Sequence, residues 1–221
     1  MTPITRRGAA APHNRPMLLN ALLLLAALTM ALALRPWRAV GAGGPPWPWL
    51  AWWATLPLFW SVDLLARAPI VQPLSGASLL VLLAGWPLAM LALLPVAALL
   101  VFVGGLDTAA ALHRLVWLGV VPGTLALVLG TALRRVLPKH LFIYILGRGF
   151  FVTWAAATLA GALALAMTGA PTGTEPGDLL IGRFLAASGE AFLTGMMAAI
   201  FVAFRPQWLA TYSDQLYLPR D

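Results

Sequence analysis

Ser188-Gly-Glu-Ala-Phe-Leu-Thr-Gly-Met-Met197 sets one carboxylate, Glu190, inside an apolar run that extends over residues 179–204. A helix needs about 20 apolar residues to cross a bilayer, and this run supplies them. An ionised carboxylate in hydrocarbon is costly, so Glu190 is expected to face a packed interior or a watery cavity. Gly189 and Gly195 flank it and are expected to let another backbone or a ligand approach closely. Two readings stay open: a structural acid bonded to a neighbouring helix, or a functional intramembrane acid.

The rest of the chain is of the same kind. Its 221 residues are 61% hydrophobic and 10% charged, and the mean hydropathy is +0.88. Soluble domains carry about a quarter charged residues. Backbone groups in lipid must pair within a helix or a closed barrel. The runs here are continuous and rich in Leu and Ala, without the alternation of barrel strands. The expected fold class is all-α, a polytopic transmembrane helix bundle of six to seven spans. No cysteine is present, which excludes disulfides, thiolate metal sites and cysteine nucleophiles. The net charge of +7 falls mostly between apolar runs, so it reads as topology and not as a nucleic-acid surface.

Residues 1–16 form a polar N-terminal tail, 17–208 the helical domain and 209–221 a cytoplasmic C-terminal tail. The run 17–34 exceeds the 7–15 apolar residues of a signal peptide, so an uncleaved helix is expected. Gly43-Gly44-Pro45-Pro46 marks a linker. Trp47, Trp49, Trp52, Trp53 and Trp60 then read as an interfacial belt with wet N–H groups. Gly85-Trp86-Pro87 interrupts the run 74–103, because proline disfavours helix at the residue before it. A short helix, a tight turn and a longer helix are expected there, with one kinked helix as the alternative; the span count depends on this point. Gly119 and Gly123, Ala126 and Gly130, and Ala157 and Gly161 are small pairs spaced for close helix packing. The basic loop with Arg134, Arg135 and Lys139 belongs inside by the positive-inside rule, and the acidic loop 169–178 outside, which makes the C-terminus cytoplasmic.

The candidate intramembrane polar site is Glu190, Thr194, His113 and Arg114, with Asp63, Arg148 and Arg183 as further polar groups at depth. Asp63 reads as water-facing near a helix end. Arg148, between Gly147 and Gly149, is expected to snorkel to the cytoplasmic side. Arg183 lies seven residues before Glu190, about two turns along one helical face. Ser75 is a candidate N-cap. No HExxH, GxSxG or Walker A sequence occurs, so transport or binding is expected and enzyme chemistry is not.

Gly189-Glu190-Ala191 with Thr194 resembles the last span of the cobalt/nickel energy-coupling-factor permeases, the cobalamin-biosynthesis type of membrane substrate-specificity subunit. Gly85-Trp86-Pro87-Leu88 is similar to a proteobacterial branch of that family. So are His140-Leu-Phe-Ile-Tyr144 leading to Gly149-Phe150-Phe151, Phe204-Arg-Pro-Gln-Trp208, and Thr211-Tyr-Ser-Asp214 with Tyr217-Leu218. The resemblance spans roughly residues 48–218 and leaves the run 17–34 unmatched.

It implies a bacterial inner-membrane permease subunit for transition-metal uptake. Its partners would be membrane lipid, a coupling transmembrane subunit and ATPase subunits, with no resident cofactor and no nucleic acid; the metal would be substrate. Relatives ligate the metal through a Met-His start, a second His aligned with Pro73 and an Asn near Arg114. This chain starts Met1-Thr2 and has none of these ligands at the matched positions, so no square-planar nickel or cobalt site of that kind is expected. A non-transport membrane scaffold of the same fold is the alternative.

Overall fold

Glycine and proline cut the apolar runs into helices of unequal length. The computed structural model describes residues 14–39, 47–66, 72–170 and 173–217, and these are helical with no strand. The helices are α1 (Asn14–Ala33), α2 (Trp47–Trp60), α3 (Val62–Ala66), α4 (Ala77–Ala84) and α5 (Trp86–Phe102). They continue with α6 (Thr108–Val136), α7 (Ile143–Thr168), α8 (Pro176–Phe204) and the single turn α9 (Asp214–Tyr217). The N-terminal residues 1–13, the linker glycines and prolines at 43–46, and Leu218 lie outside the described residues.

By length and composition, α6, α7, α8 and the 16–33 part of α1 can each cross a membrane; α5 is apolar but shorter. Many large apolar side chains point outward, Phe102, Phe192 and Phe204 among them at 86%, 71% and 77% exposure. Exposed apolar surface on this scale marks a body made for lipid or for partners.

The break at Gly85 divides α4 from α5, as the Gly-Trp-Pro sequence requires. Gly85 takes φ 79°, a left-handed value that a side chain would resist, and Pro87 sits in the first turn of α5. The kinked-helix alternative is thereby excluded. Pro122 is handled differently. The ring of a helical proline clashes with the carbonyl four residues back, here Leu118. That carbonyl lies in a π-helical stretch, Leu115–Val120, and α6 continues through it. A second π-helical stretch, Ile143–Phe151, opens α7.

All eight residues of α4 are buried, so this short helix is the axis of the bundle. Leu79 and Leu80 of this helix and Leu56, Trp60, Met90 and Leu93 around it are among the largest fully buried side chains of the core. Gly119 and Gly123 let α6 close on that core. A Cβ at Gly119 would lie 2.8 Å from Leu93, and one at Gly123 2.9 Å from Met90. Gly195 likewise meets Phe150 of α7, where a Cβ would lie 3.3 Å away. Gly189 makes no such approach, since its Cβ would meet nothing within 4 Å.

The expected tryptophan belt is corrected at Trp52, Trp53 and Trp60, while the Trp49 N–H is buried without a partner and the Trp47 side chain lies outside what the structure describes. Trp60 is fully buried and Trp49 nearly so. The indole N–H of Trp60 donates to Ser75 O at 2.8 Å, that of Trp52 to Gly76 O at 2.8 Å, and that of Trp53 to Ala92 O at 2.6 Å. Their N–H groups thus hold other segments of the bundle instead of contacting interfacial water. The segment after 208 is also part of the body. Leu209, Tyr212 and Tyr217 are buried, and Tyr144 of α7 stacks edge-on against both tyrosines.

Candidate functional site

Helix α4 is too short to reach either end of the bundle, so both its termini need partners inside the protein. Glu190 supplies the first. Its Oε2 accepts from Ser75 N at 2.9 Å and its Oε1 from Gly76 N at 3.0 Å. The negative group thereby sits against the positive end of the helix dipole. The Ser75 hydroxyl accepts from Ala77 N at 3.1 Å, so Ser75 takes part in the cap while Gly76 holds the N-cap position. Gly76 has φ 66°, and a Cβ there would lie 2.4 Å from Leu56 Cδ2. With Trp60 and Trp52 on the two carbonyls, all four backbone polar atoms of Ser75 and Gly76 are held from outside the segment; Gly76 O additionally accepts from Leu80 N. At the other end, Ala210 N donates to Leu83 O at 3.3 Å and the Thr211 hydroxyl to Leu82 O at 3.3 Å.

Above the Glu190 cap lies a cavity of about 610 Å³. It runs from half-exposed Gln72 and Thr174 down to Glu190, which is 2% exposed. Asp63, His113, Arg114 and Arg183 line it, with Pro73, Ser75 and Trp117. Small side chains make the room: Ala157, Ala160, Gly161 and Ala164 on α7, Ala186 and Ala187 on α8. Ligand sites combine such apolar walls with a few convergent polar groups.

The charges in the cavity are unequally answered. Arg114 forks onto Asp63, Nη1 to Oδ1 at 2.8 Å and Nη2 to Oδ2 at 2.7 Å, and its Nη1 also donates to Trp60 O. Bidentate pairing of this kind is both strong and directional. Asp63 is therefore a wall residue of the cavity and not simply a water-facing helix end. Arg183 Nη1 donates to Gly161 O, and the side chain lies over that glycine, where a Cβ would come within 3.1 Å. Among the described residues, Asp63 with Arg114 is the one ion pair, so Arg183 has no carboxylate partner there. His113 packs near the Trp117 ring at 6.3 Å between centroids.

Three of the four candidate residues, Glu190, His113 and Arg114, thus meet in one cavity, joined by Arg183 as the helical spacing suggested. Thr194 does not line it. Thr194 is fully buried at the contact between α7 and α8, with no partner for its hydroxyl. Arg148 is corrected too: it is 5% exposed and does not snorkel. Among the described residues, no three His, Asp or Glu side chains are close enough to share a metal ion. No family model, curated protein or solved structure matches the chain.

Proposed function

We propose that the chain is the substrate-binding membrane subunit of an energy-coupling-factor type permease, and that its solute is a small organic acid instead of a bare transition-metal ion. The observation that carries this reading is the cavity itself, in which Arg183 stands without a carboxylate while both acids are already engaged. Glu190 is occupied by two backbone N–H groups and Asp63 by the Arg114 fork. His113 is then the one uncommitted metal donor on the wall, which is too few for a tight transition-metal site. A carboxylate or phosphate on the solute would complete Arg183, and the alanine wall would cover its apolar part.

The position of the cavity supports the family reading as well. Pro73 and Arg114, which the resemblance aligns with two metal ligands, both line it. Replacing ligands by proline and by a cation suits an anionic solute better than a metal cation.

The topology goes with this reading. The non-helical residues 72–76 can span at most about 16 Å at 3.3 Å per residue, and the eight residues of α4 add about 12 Å. Together they match a hydrocarbon core of about 30 Å. We count them as one discontinuous traverse, making seven with α1, the α2–α3 pair, α5, α6, α7 and α8. Discontinuous helices at mid-membrane are a transporter device, with half-helix N-termini beside the solute site. The C-terminus is then cytoplasmic, and the mouth at Gln72 and Thr174 faces outside, in a bacterial inner membrane.

Affinity purification of the tagged chain from its own membranes tests the assignment. An ATPase and a coupling transmembrane subunit are expected with it. Recovery with a membrane enzyme and no ATPase would favour the scaffold reading. Native mass spectrometry of the subunit should reveal an acidic small-molecule adduct that Arg183→Gln loses. A nickel or cobalt adduct retained by Arg183→Gln would overturn the solute class.

A further inference from the structure

At the end of the bundle away from the cavity mouth, a recess of about 10 Å³ is lined by Arg134, Lys139, Tyr144, Arg148 and Tyr217. Its volume suits one water-sized atom. Arg148 is 95% buried by its 5% exposure, and its Nε and Nη1 donate to no partner. Buried guanidinium donors without acceptors are costly, and native proteins seldom leave them so. Arg134 and Lys139 are exposed at the rim, and no acidic side chain lines the recess.

Gly130 is part of the arrangement. A Cβ at that position would lie 3.1 Å from Arg148 Nε, so glycine leaves the guanidinium room to lie against α6. The buried tyrosines complete the wall. Three cations and two phenol groups around a space for one oxygen are the components of a phosphate site. A carboxylate would satisfy Arg148 but would leave the two rim cations unmatched. Basic recesses between membrane helices on the cytoplasmic side take lipid headgroups by this chemistry.

We infer that the recess binds a phosphate group, with one phosphoryl oxygen entering to Arg148 and the remaining oxygens held by Arg134 and Lys139. An anionic phospholipid headgroup and free phosphate share this chemistry. The site is separate from the solute cavity and does not depend on what that cavity binds.

The test uses the full chain in phosphatidylcholine nanodiscs, with phosphatidylglycerol added in one arm and inorganic phosphate in another. Thermal stability and, by native mass spectrometry, retained lipid are measured in each. A rise in Tm with phosphatidylglycerol, and its retention as bound lipid, identifies a headgroup; a rise with inorganic phosphate alone identifies the free ion. Either gain should be lost in Arg148→Gln and in the double variant Arg134→Gln/Lys139→Gln. The double variant alters exposed residues only, so it decides the matter if Arg148→Gln does not fold. No gain in either arm, or a gain undiminished in the double variant, overturns the inference and leaves the recess to water.

Discussion

Glu190 and Arg148 are both buried charges on long helices, and they are answered in opposite ways. Both oxygens of Glu190 receive backbone N–H groups, and those N–H groups have no other use at the start of α4. Arg148 keeps two donors unpaired beside a recess fringed with further cations. A satisfied buried charge builds the fold, whereas an unsatisfied one is available to something from outside. Proximity to a cavity does not by itself make a group functional. Glu190 borders the larger cavity and is nonetheless the more structural of the two.

Glu190→Leu should break this comparison most sharply. It leaves Ser75 N–H and Gly76 N–H buried without acceptors, at about 1–3 kcal/mol for each orphaned group. Folded protein should be lost from the membrane, as read by detergent-resistant yield and Tm. Glu190→Gln retains a single acceptor oxygen, and its NH₂ group would face a second N–H donor. About half of the loss is expected, so Gln is not a neutral replacement here. Full stability of the Gln variant would mean that one of the two hydrogen bonds does not form.

Gly76→Ala tests the same cap from the backbone side. The left-handed conformation costs a non-glycine residue about 1–2 kcal/mol. The new methyl would also press on buried Leu56, and overpacking of this kind typically adds about 1–3 kcal/mol. The variant should lose stability without any change at Glu190 itself. Gly189→Ala is the control on the same helix as Glu190, because its Cβ meets nothing. Equal loss in the two variants would discredit the cap as the organising contact.

The sequence makes one side of this arrangement legible. Glu190 stands out as an acid in an apolar run, and Gly85-Trp86-Pro87 announces the end of α4. What it pairs with is not legible. Ser75 and Glu190 are 115 residues apart in the chain, and the hydrogen bonds use backbone N–H groups that every residue possesses. The tryptophans mislead for a related reason. An indole with a wet N–H at an interface and one donating to a buried carbonyl have the same composition and spacing, and only the folded partner distinguishes them. Asp63 and Arg114 likewise look like separate ends of separate spans until the bundle brings them to 2.7 Å.

The far end of α4 offers a weaker version of the Glu190 cap. Thr211 donates a neutral hydroxyl to Leu82 O at 3.3 Å and shares a 2.9 Å hydrogen bond with the Tyr144 hydroxyl. Thr211→Val removes both while keeping the shape. A neutral hydrogen bond contributes about 0.5–1.5 kcal/mol, so a modest fall in Tm is expected, clearly smaller than that of Glu190→Gln. A larger fall would show that the segment after residue 208 holds α4 more firmly than its start is held.

Arg148→Met should have the smallest effect, and of opposite sign. Methionine fills most of the space of the arginine stem and has no donor to leave unpaired. In phosphate-free detergent the native guanidinium keeps two buried donors unanswered, so removing them should leave Tm unchanged or raise it slightly. Adding phosphatidylglycerol or inorganic phosphate should then stabilise the native chain and not the variant, closing or reversing the gap. If Arg148→Met is markedly less stable even without phosphate, Arg148 already has a structural partner. The contrast with Glu190 would then fail at its second term, because both buried charges would be serving the fold.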